Sequence, residues 1–177
     1  MSAITRLAGE SFPDHVGELA GLLAEAVAGG ASIGFLTPFE PDAAAGWWQA
    51  KAPAVADGTL TVWVSRDARG LDGTVSLVRE GKDNGRHRAE IVKLMVRADA
   101  RGRGLARALL ATAEEAAARA GATLLLLDTE TGSGAECLYL AEGWTRYGVV
   151  PGYAASPDGT PQACSFFYKE LPQMSWK

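Results

Sequence analysis

The segment Arg101-Gly102-Arg103-Gly104-Leu105-Ala106 joins an apolar, strand-like run at 89–96 to an alanine-rich helix that begins at Leu105. A strand-to-helix turn built from glycine and arginine is a seat for phosphate. Glycine lets the backbone come close to a ligand, first-turn N–H groups lack intrahelical acceptors, and the helix dipole places partial positive charge there. The arginines add fixed charge with bidentate geometry. Upstream stands Glu90, which alternation puts on one face with Val92 and Leu94, where an apolar setting would raise a carboxyl pKa toward the range of a general base. Downstream, Asp128 ends the apolar run 124–127. The structural alternatives are an ion pair of Glu90 with Arg86 or Arg88, and a capping or turn role for Asp128.

These side chains need a scaffold, and the hydrophobic periodicity supplies one. A first strand is expected at 2–7, then a helix at 13–28 carrying Val16, Leu19, Ala20, Leu23 and Val27 on one face, with Ser11 as cap and Gly29-Gly30 as stop. An ordered loop at 31–38 leads to a second helix from about 41 to 56. Strands follow at 59–65 and 71–79 as a hairpin, and at 88–96 after a polar loop. The helix at 105–120 shows Leu105, Leu109, Thr112, Ala116 and Ala120 as its stripe. The uniformly apolar 124–127 reads as a parallel strand buried on both faces. Segment 89–128 is therefore a strand, helix, strand crossover. Ser133 caps a short helix at 134–142, and strands at 144–150 and 163–171 flank a long loop at 151–161. The order is β, α, α, β, β, β, α, β, α, β, β: an α/β (α+β) fold with a mixed sheet and helices on both faces, read as one domain over 1–177.

Composition removes several function classes. The chain has 177 residues, 47% of them apolar, which suits one sizeable core. Two cysteines, Cys137 and Cys164, make no disulfide framework and no metal-ligand spacing, so no metal is expected, and a reduced, cytoplasmic setting is. No secretory signal or membrane span is read. The net charge of −4 conceals seven basic and two acidic side chains between residues 86 and 107, which leaves −9 for the remainder. One basic patch on an acidic chain fits a small polyanion and argues against nucleic acid as a partner. Arg107 stands where a dinucleotide fingerprint needs its third glycine, and no P-loop occurs, so dehydrogenase and nucleotide-hydrolase readings fall away.

Ala89-Glu90-Ile91 through Arg101-x-x-Gly104-x-Ala106 resembles motif A of the GNAT acyltransferase superfamily, and Tyr139-Leu140-Ala141-Glu142-Gly143-Trp144 resembles its motif B. Further segments are similar to the tabtoxin-resistance acetyltransferases: 29–35, 127–130, Pro151-Gly152-Tyr153 and Pro157-Asp158-Gly159. The resemblance implies acetyl-CoA in a cleft between the strands ending at Val96 and Asp128. Its pyrophosphate would lie over the amides of Arg101, Gly102, Arg103, Gly104, Leu105 and Ala106, and its pantetheine beside the backbone of Leu94, Met95 and Val96. The physics agrees, because ligands of open α/β sheets bind where adjacent strands part.

The implied activity is N-acetylation of a small-molecule amine, a toxin or antibiotic by the closer resemblance, through direct transfer in a ternary complex. Glu90 and Asp128 are the candidate bases. Tyr139, which as a helical tyrosine would otherwise be core, becomes the candidate acid toward the thiolate. Cys137 has no dyad context for a nucleophile. Phe35 and Tyr153, both placed in loops, are candidate substrate walls, whereas Trp47 and Trp48 read as core. A non-catalytic acyl-CoA-binding module on the same fold is the alternative, though a binder needs none of Glu90, Asp128 and Tyr139. Monomer and homodimer are both compatible with the sequence.

Overall fold

The computed structural model describes residues 3–172. Seven strands form one sheet in the order β1-β2-β3-β4-β5-β7-β6. They are β1 (Ile4–Arg6), β2 (Leu60–Asp67), β3 (Gly70–Arg79), β4 (Arg88–Val96), β5 (Leu124–Glu130), β6 (Thr145–Ala155) and β7 (Pro161–Glu170). Among the described residues only β4 and β5 pair in parallel, and every other pair of neighbours is antiparallel. Helices α1 (Val16–Ala28), α2 (Pro41–Gln49) and α3 (Ala52–Asp57) cover one face of the sheet, and α4 (Leu105–Arg119) and α5 (Gly134–Ala141) cover the other.

Each face has its own core. Leu19, Leu23 and Val27 of α1, four residues apart, meet Val62 and Val64 of β2 together with Phe12 and Trp48. On the other side, Leu109, Leu110, Ala113 and Ala117 of α4 pack on Val75, Ile91, Leu125 and Phe167. Each fully buried aliphatic side chain contributes about 1.5–3 kcal/mol of burial.

The expected element order is observed, with local departures that have physical causes. The helix read over 41–56 breaks into α2 and α3 because Pro53 has no N–H for the carbonyl four residues back and its ring clashes there; proline is tolerated instead in the first turn of α3. Ser11 does not cap α1. Its hydroxyl donates to Ala8 O, and a 3-10 turn over Phe12–His15 precedes the helix. The buried stripe of α4 is rotated from the expected one: Ala113 and Ala117 face the sheet, Thr112 and Ala116 are half-buried, and Ala120 is exposed. In β5 only Leu125 and Leu127 are buried, Leu124 and Leu126 lying half open. The expected loop at 151–161 is mostly strand. Pro151 sits where the β6–β7 register shifts, and β6 is an edge strand, the two settings in which a sheet accepts proline.

Candidate active site

Glu90 is the last residue of β4 that pairs with β5, opposite Leu126. Beyond it the two strands part, so from Ile91 to Val96 the β5-facing edge of β4 has no strand beside it. The parting coincides with a bulge. The β3–β4 register shifts between Thr74 and Ser76, and Lys93 takes φ +52, the only positive φ of a non-glycine among the described residues. An extra residue there inverts the alternation. Ala89 and Ile91 contribute to the α4-side core before the bulge, whereas Leu94 and Val96 do so after it and Met95 joins the α1-side core. Leu94 therefore does not share a face with Glu90, which corrects the simple alternation expected from the sequence.

At the far end of this stretch lies the anion seat. Gly102 and Gly104 have φ +75 and +78, left-handed values that a side chain would strain, and Gly104 is the N-cap of α4. The first helical bond after the turn is Ala108 N–H to Gly104 O, so the preceding amides are open to a ligand. A cavity of about 330 Å³ is lined there by Val96, Arg101, Gly102, Gly104, Leu105 and Ala106, with Leu138 of α5 opposite. The charge expected of segment 86–107 is largely neutralised. Arg86 pairs with Asp83, Arg88 with Glu80, Arg97 with Asp67 and Asp99, and Arg107 with Glu142. Arg101 and Arg103 make no ion pair among the described residues; they donate to the carbonyls of Val96 and Asp99. Arg103 lies outside the lining of the seat. The double pairing of Arg97, with its further bond to Leu71 O at 2.9 Å, pins the end of β4 to the β2–β3 hairpin.

At the near end, a second cavity of about 320 Å³ holds Glu90, Lys93, Asp128 and Glu130, walled by Ile33 and Gly34 on one side and Tyr153 on the other. Parallel pairing of Glu90 with Leu126 puts Asp128, two residues on, on the same face. Neither structural alternative holds: Arg86 and Arg88 are paired elsewhere, and Asp128 caps nothing, accepting instead the thiol of Cys164 at 3.2 Å. Desolvation, with the charge of Asp128 behind it, pushes the Glu90 carboxyl above its ordinary range. Burial pushes Lys93 below the ordinary lysine range. It also pushes the Cys164 thiol up to about 12, with the bond to Asp128 adding to it.

Tyr139 of α5 is buried between Trp144 and Phe167. Its hydroxyl has no hydrogen-bond partner among the described residues, yet it is not sealed from solvent. Burial, then the charge of Asp128, raise the phenol to about 12. The phenol is thus a weaker acid than an ordinary tyrosine, whose ~10 already lies above the ~8.5 of a thiol. A proton runs downhill toward the group of higher pKa, so transfer from a phenol near 12 to a thiolate of ordinary pKa ~8.5 is uphill by about 5 kcal/mol. The group can hold a hydrogen bond toward a sulfur without surrendering its proton.

Phe35 does not line the cavity that holds Glu90 and Asp128. It stacks on Phe39 and meets Trp47 edge-on. Trp48 is fully buried, as expected of core, and Trp47 only partly so. Tyr153 does line the cavity, from β6 and not from a loop, and packs edge-on against Phe166. Sequence reasoning passed over two residues. Lys93 gave no signal beyond its charge. Glu136 gave one, the Ser133-x-x-Glu136 spacing of a capping box. Ser133 Oγ accepts the Glu136 N–H, while the Glu136 carboxylate accepts from Gly132 N–H, Ser165 and Arg146, tying α5 to β6 and β7.

The same fold occurs in a ribosomal-protein-alanine N-acetyltransferase from Brucella melitensis, at 23% identity and TM-score 0.76 over 96% of this chain and 99% of that one. An N-acetyltransferase from Staphylococcus aureus Mu50 shares it at 17% identity, TM-score 0.77, 97% and 99% coverage. So does a GNAT superfamily phosphinothricin acetyltransferase from Sinorhizobium meliloti solved with acetyl-CoA, at 17% identity, TM-score 0.77, covering 96% of this chain and 88% of its own. The model of the acetyltransferase (GNAT) family matches residues 35–141, more than half of the sequence and the whole stretch from Phe35 through the anion seat to the end of α5; the chain belongs to that family.

Proposed function

We propose that the protein is an acetyl-CoA-dependent N-acetyltransferase acting on the amine of a small molecule in a ternary complex. One observation carries the reading: β4 and β5 part at Glu90, with carboxylates at the near end of the opening and an anion seat at the far end. The six steps along the strand from Glu90 to Val96 span roughly 20 Å at ~3.3 Å per residue, which suits a ligand with phosphate at one end and a reacting group on a long arm. The seat fits a pyrophosphate, since Arg101, the left-handed Gly102 and Gly104, and the first helical residues Leu105 and Ala106 line one cavity. Arg103, directed to Asp99 O, strengthens the field there without lining that cavity. The open edge of β4 offers the backbone of Leu94, Met95 and Val96 to an extended arm, in the manner of an added strand.

Bound acetyl-CoA supplies the acyl group as an activated thioester. The chain supplies proton handling. An acceptor ammonium must lose a proton before its nitrogen attacks, and Glu90, with its raised pKa, is poised to take that proton, directly or through water. Asp128, fixed by Cys164, holds the ammonium and keeps Glu90 basic. Tyr139 donates a hydrogen bond toward the sulfur and keeps its own proton. Tyr153 and the 33–34 backbone wall the acceptor; Phe35 acts behind them. Toxin or antibiotic amines stay within this proposal through the tabtoxin-resistance likeness, as does a cytoplasmic setting. The test is thiol release from acetyl-CoA across an amine panel, with the acetylated product identified by mass. Protection by CoA against unfolding without turnover would instead establish a binding module.

A further inference from the structure

The acceptor cavity has an unlike neighbour. Across Val92 and Lys93 lies a cavity of about 290 Å³ walled by Trp47, Trp48, Lys51, Leu60 and Val78. The first cavity holds three carboxylates, Glu90, Asp128 and Glu130; the second has two ammonium groups, Lys93 and Lys51, and no carboxylate in its lining. Lys93 belongs to both. It is the residue in the left-handed conformation at the bulge, a strain that persists where the surroundings over-determine it and that clusters at functional sites. Its Nζ donates to Ile33 O at 2.7 Å and sits 5.4 and 5.3 Å from the ring centres of Phe35 and Trp47. Lys51 Nζ lies 4.8 Å from the Trp47 ring. Neither lysine has a carboxylate at ion-pair distance among the described residues, and Lys93 has two ammonium protons beyond the one on Ile33 O.

We propose, resting on the N-acetyltransferase reading above, that the acceptor carries an anionic group as well as an amine, and that Lys93 and Lys51 select it. The amine faces Glu90 and Asp128. The anion, a carboxylate, crosses Val92 into the second cavity and takes the unspent donors of Lys93 with Lys51 beside it. Asp128 and Glu90 act on Lys93 only from beyond ion-pair distance, so this half-buried cation still gains from an anion delivered by a ligand. Simple alkylamines leave the second cavity unfilled, and polyamines bring a second cation to it.

The test uses matched pairs: ω-amino acids with one to four methylenes between the groups, each against its primary amide. The wild-type protein favours the acid of at least one pair by about tenfold or more in kcat/KM, mainly through KM. Lys51→Met, whose side chain makes no hydrogen bond within the fold among the described residues, and Lys93→Met each collapse that ratio toward one, and Lys51→Arg restores it in part. Equal use of acid and amide by the wild type overturns the inference while leaving the acetyltransferase reading intact. So does an equal fall of both members in the Met variants, which would make Lys93 only a latch for the strap at 31–37. Failure to acetylate any amine overturns the acceptor reading itself.

Discussion

Replacing Glu136 by alanine removes a carboxylate on which three segments converge: Ser165 Oγ of β7 at 2.6 Å, Gly132 N–H at 2.6 Å and Arg146 of β6 at 3.0 Å. The losses are unequal. Gly132 N–H is left unpaired, a cost of about 1–3 kcal/mol. Ser165 keeps Thr131 Oγ1 at 2.8 Å, and Arg146, with 45% of its side chain exposed, regains water, so together they add about 1 kcal/mol. A total of about 3 kcal/mol corresponds to a fall in Tm of roughly 6–12 °C for a chain of this size. Urea unfolding followed by tryptophan fluorescence measures it. The pH dependence gives an independent check. The three hydrogen bonds, that of Ser165 first, hold Glu136 below the ordinary carboxylate range. Its stabilisation is therefore full above the unfolded pKa near ~4.5 and is lost as pH falls through the lower folded value, so the gap between wild type and variant narrows below about pH 4. Because Tyr139 lies one turn along the same helix, turnover also falls. A Glu136→Ala protein within 0.5 kcal/mol of wild type at pH 7 would refute this account of how α5 is held.

Other consequences are as direct. Gly104→Ala meets no atom within 4 Å of the new Cβ, so its cost is conformational alone, about 1 kcal/mol by thermal unfolding; protection of the variant by acetyl-CoA weakens further as the amides turn. Glu90→Gln lowers kcat/KM by two or more orders of magnitude yet raises Tm at pH 7. A carboxyl whose pKa is raised on folding stabilises below its unfolded pKa and loses that contribution as pH rises through the folded value, and the variant is spared this loss. The wild-type kcat/KM correspondingly falls on the acid side at a pH above the ordinary carboxylate range. Tyr139→Phe removes a hydroxyl without a protein partner among the described residues, so stability is kept while kcat falls about 10–100-fold, the worth of one hydrogen bond to developing charge.

What the sequence disclosed and what it withheld follow from the range of the interactions involved. Strand β4 is legible over 88–96 because alternation and flanking polar residues are local signals. The seat at 101–106 is legible because glycine and helix-start chemistry are local as well. The ends of α2 were misjudged where a single proline outweighed the helical pattern around it. The bulge at Lys93 has no local signature, since lysine is a poor residue for φ +52 and only the pairing with Thr74 and Ser76 imposes it. Everything downstream of the bulge was hidden with it: the face of Leu94, the reach of Lys93, and the adjacency of one cavity rich in carboxylates to another with two lysines. The pairing of four arginines with Asp83, Glu80, Asp67, Asp99 and Glu142 was likewise tertiary, so a segment that reads as a basic patch keeps its unpaired arginine charge at Arg101 and Arg103.

The central claim is that this cleft moves an acetyl group onto an amine with Glu90 and Asp128 managing the proton. Thiol release from acetyl-CoA, measured with a turned-over amine for the wild type and for the Glu90→Gln, Asp128→Asn double variant, tests it most directly. Stoichiometric acetylated amine is expected from the wild type and a loss of two or more orders of magnitude in the double variant, with protection by CoA against unfolding retained in both. Turnover by the double variant at the wild-type rate would contradict it.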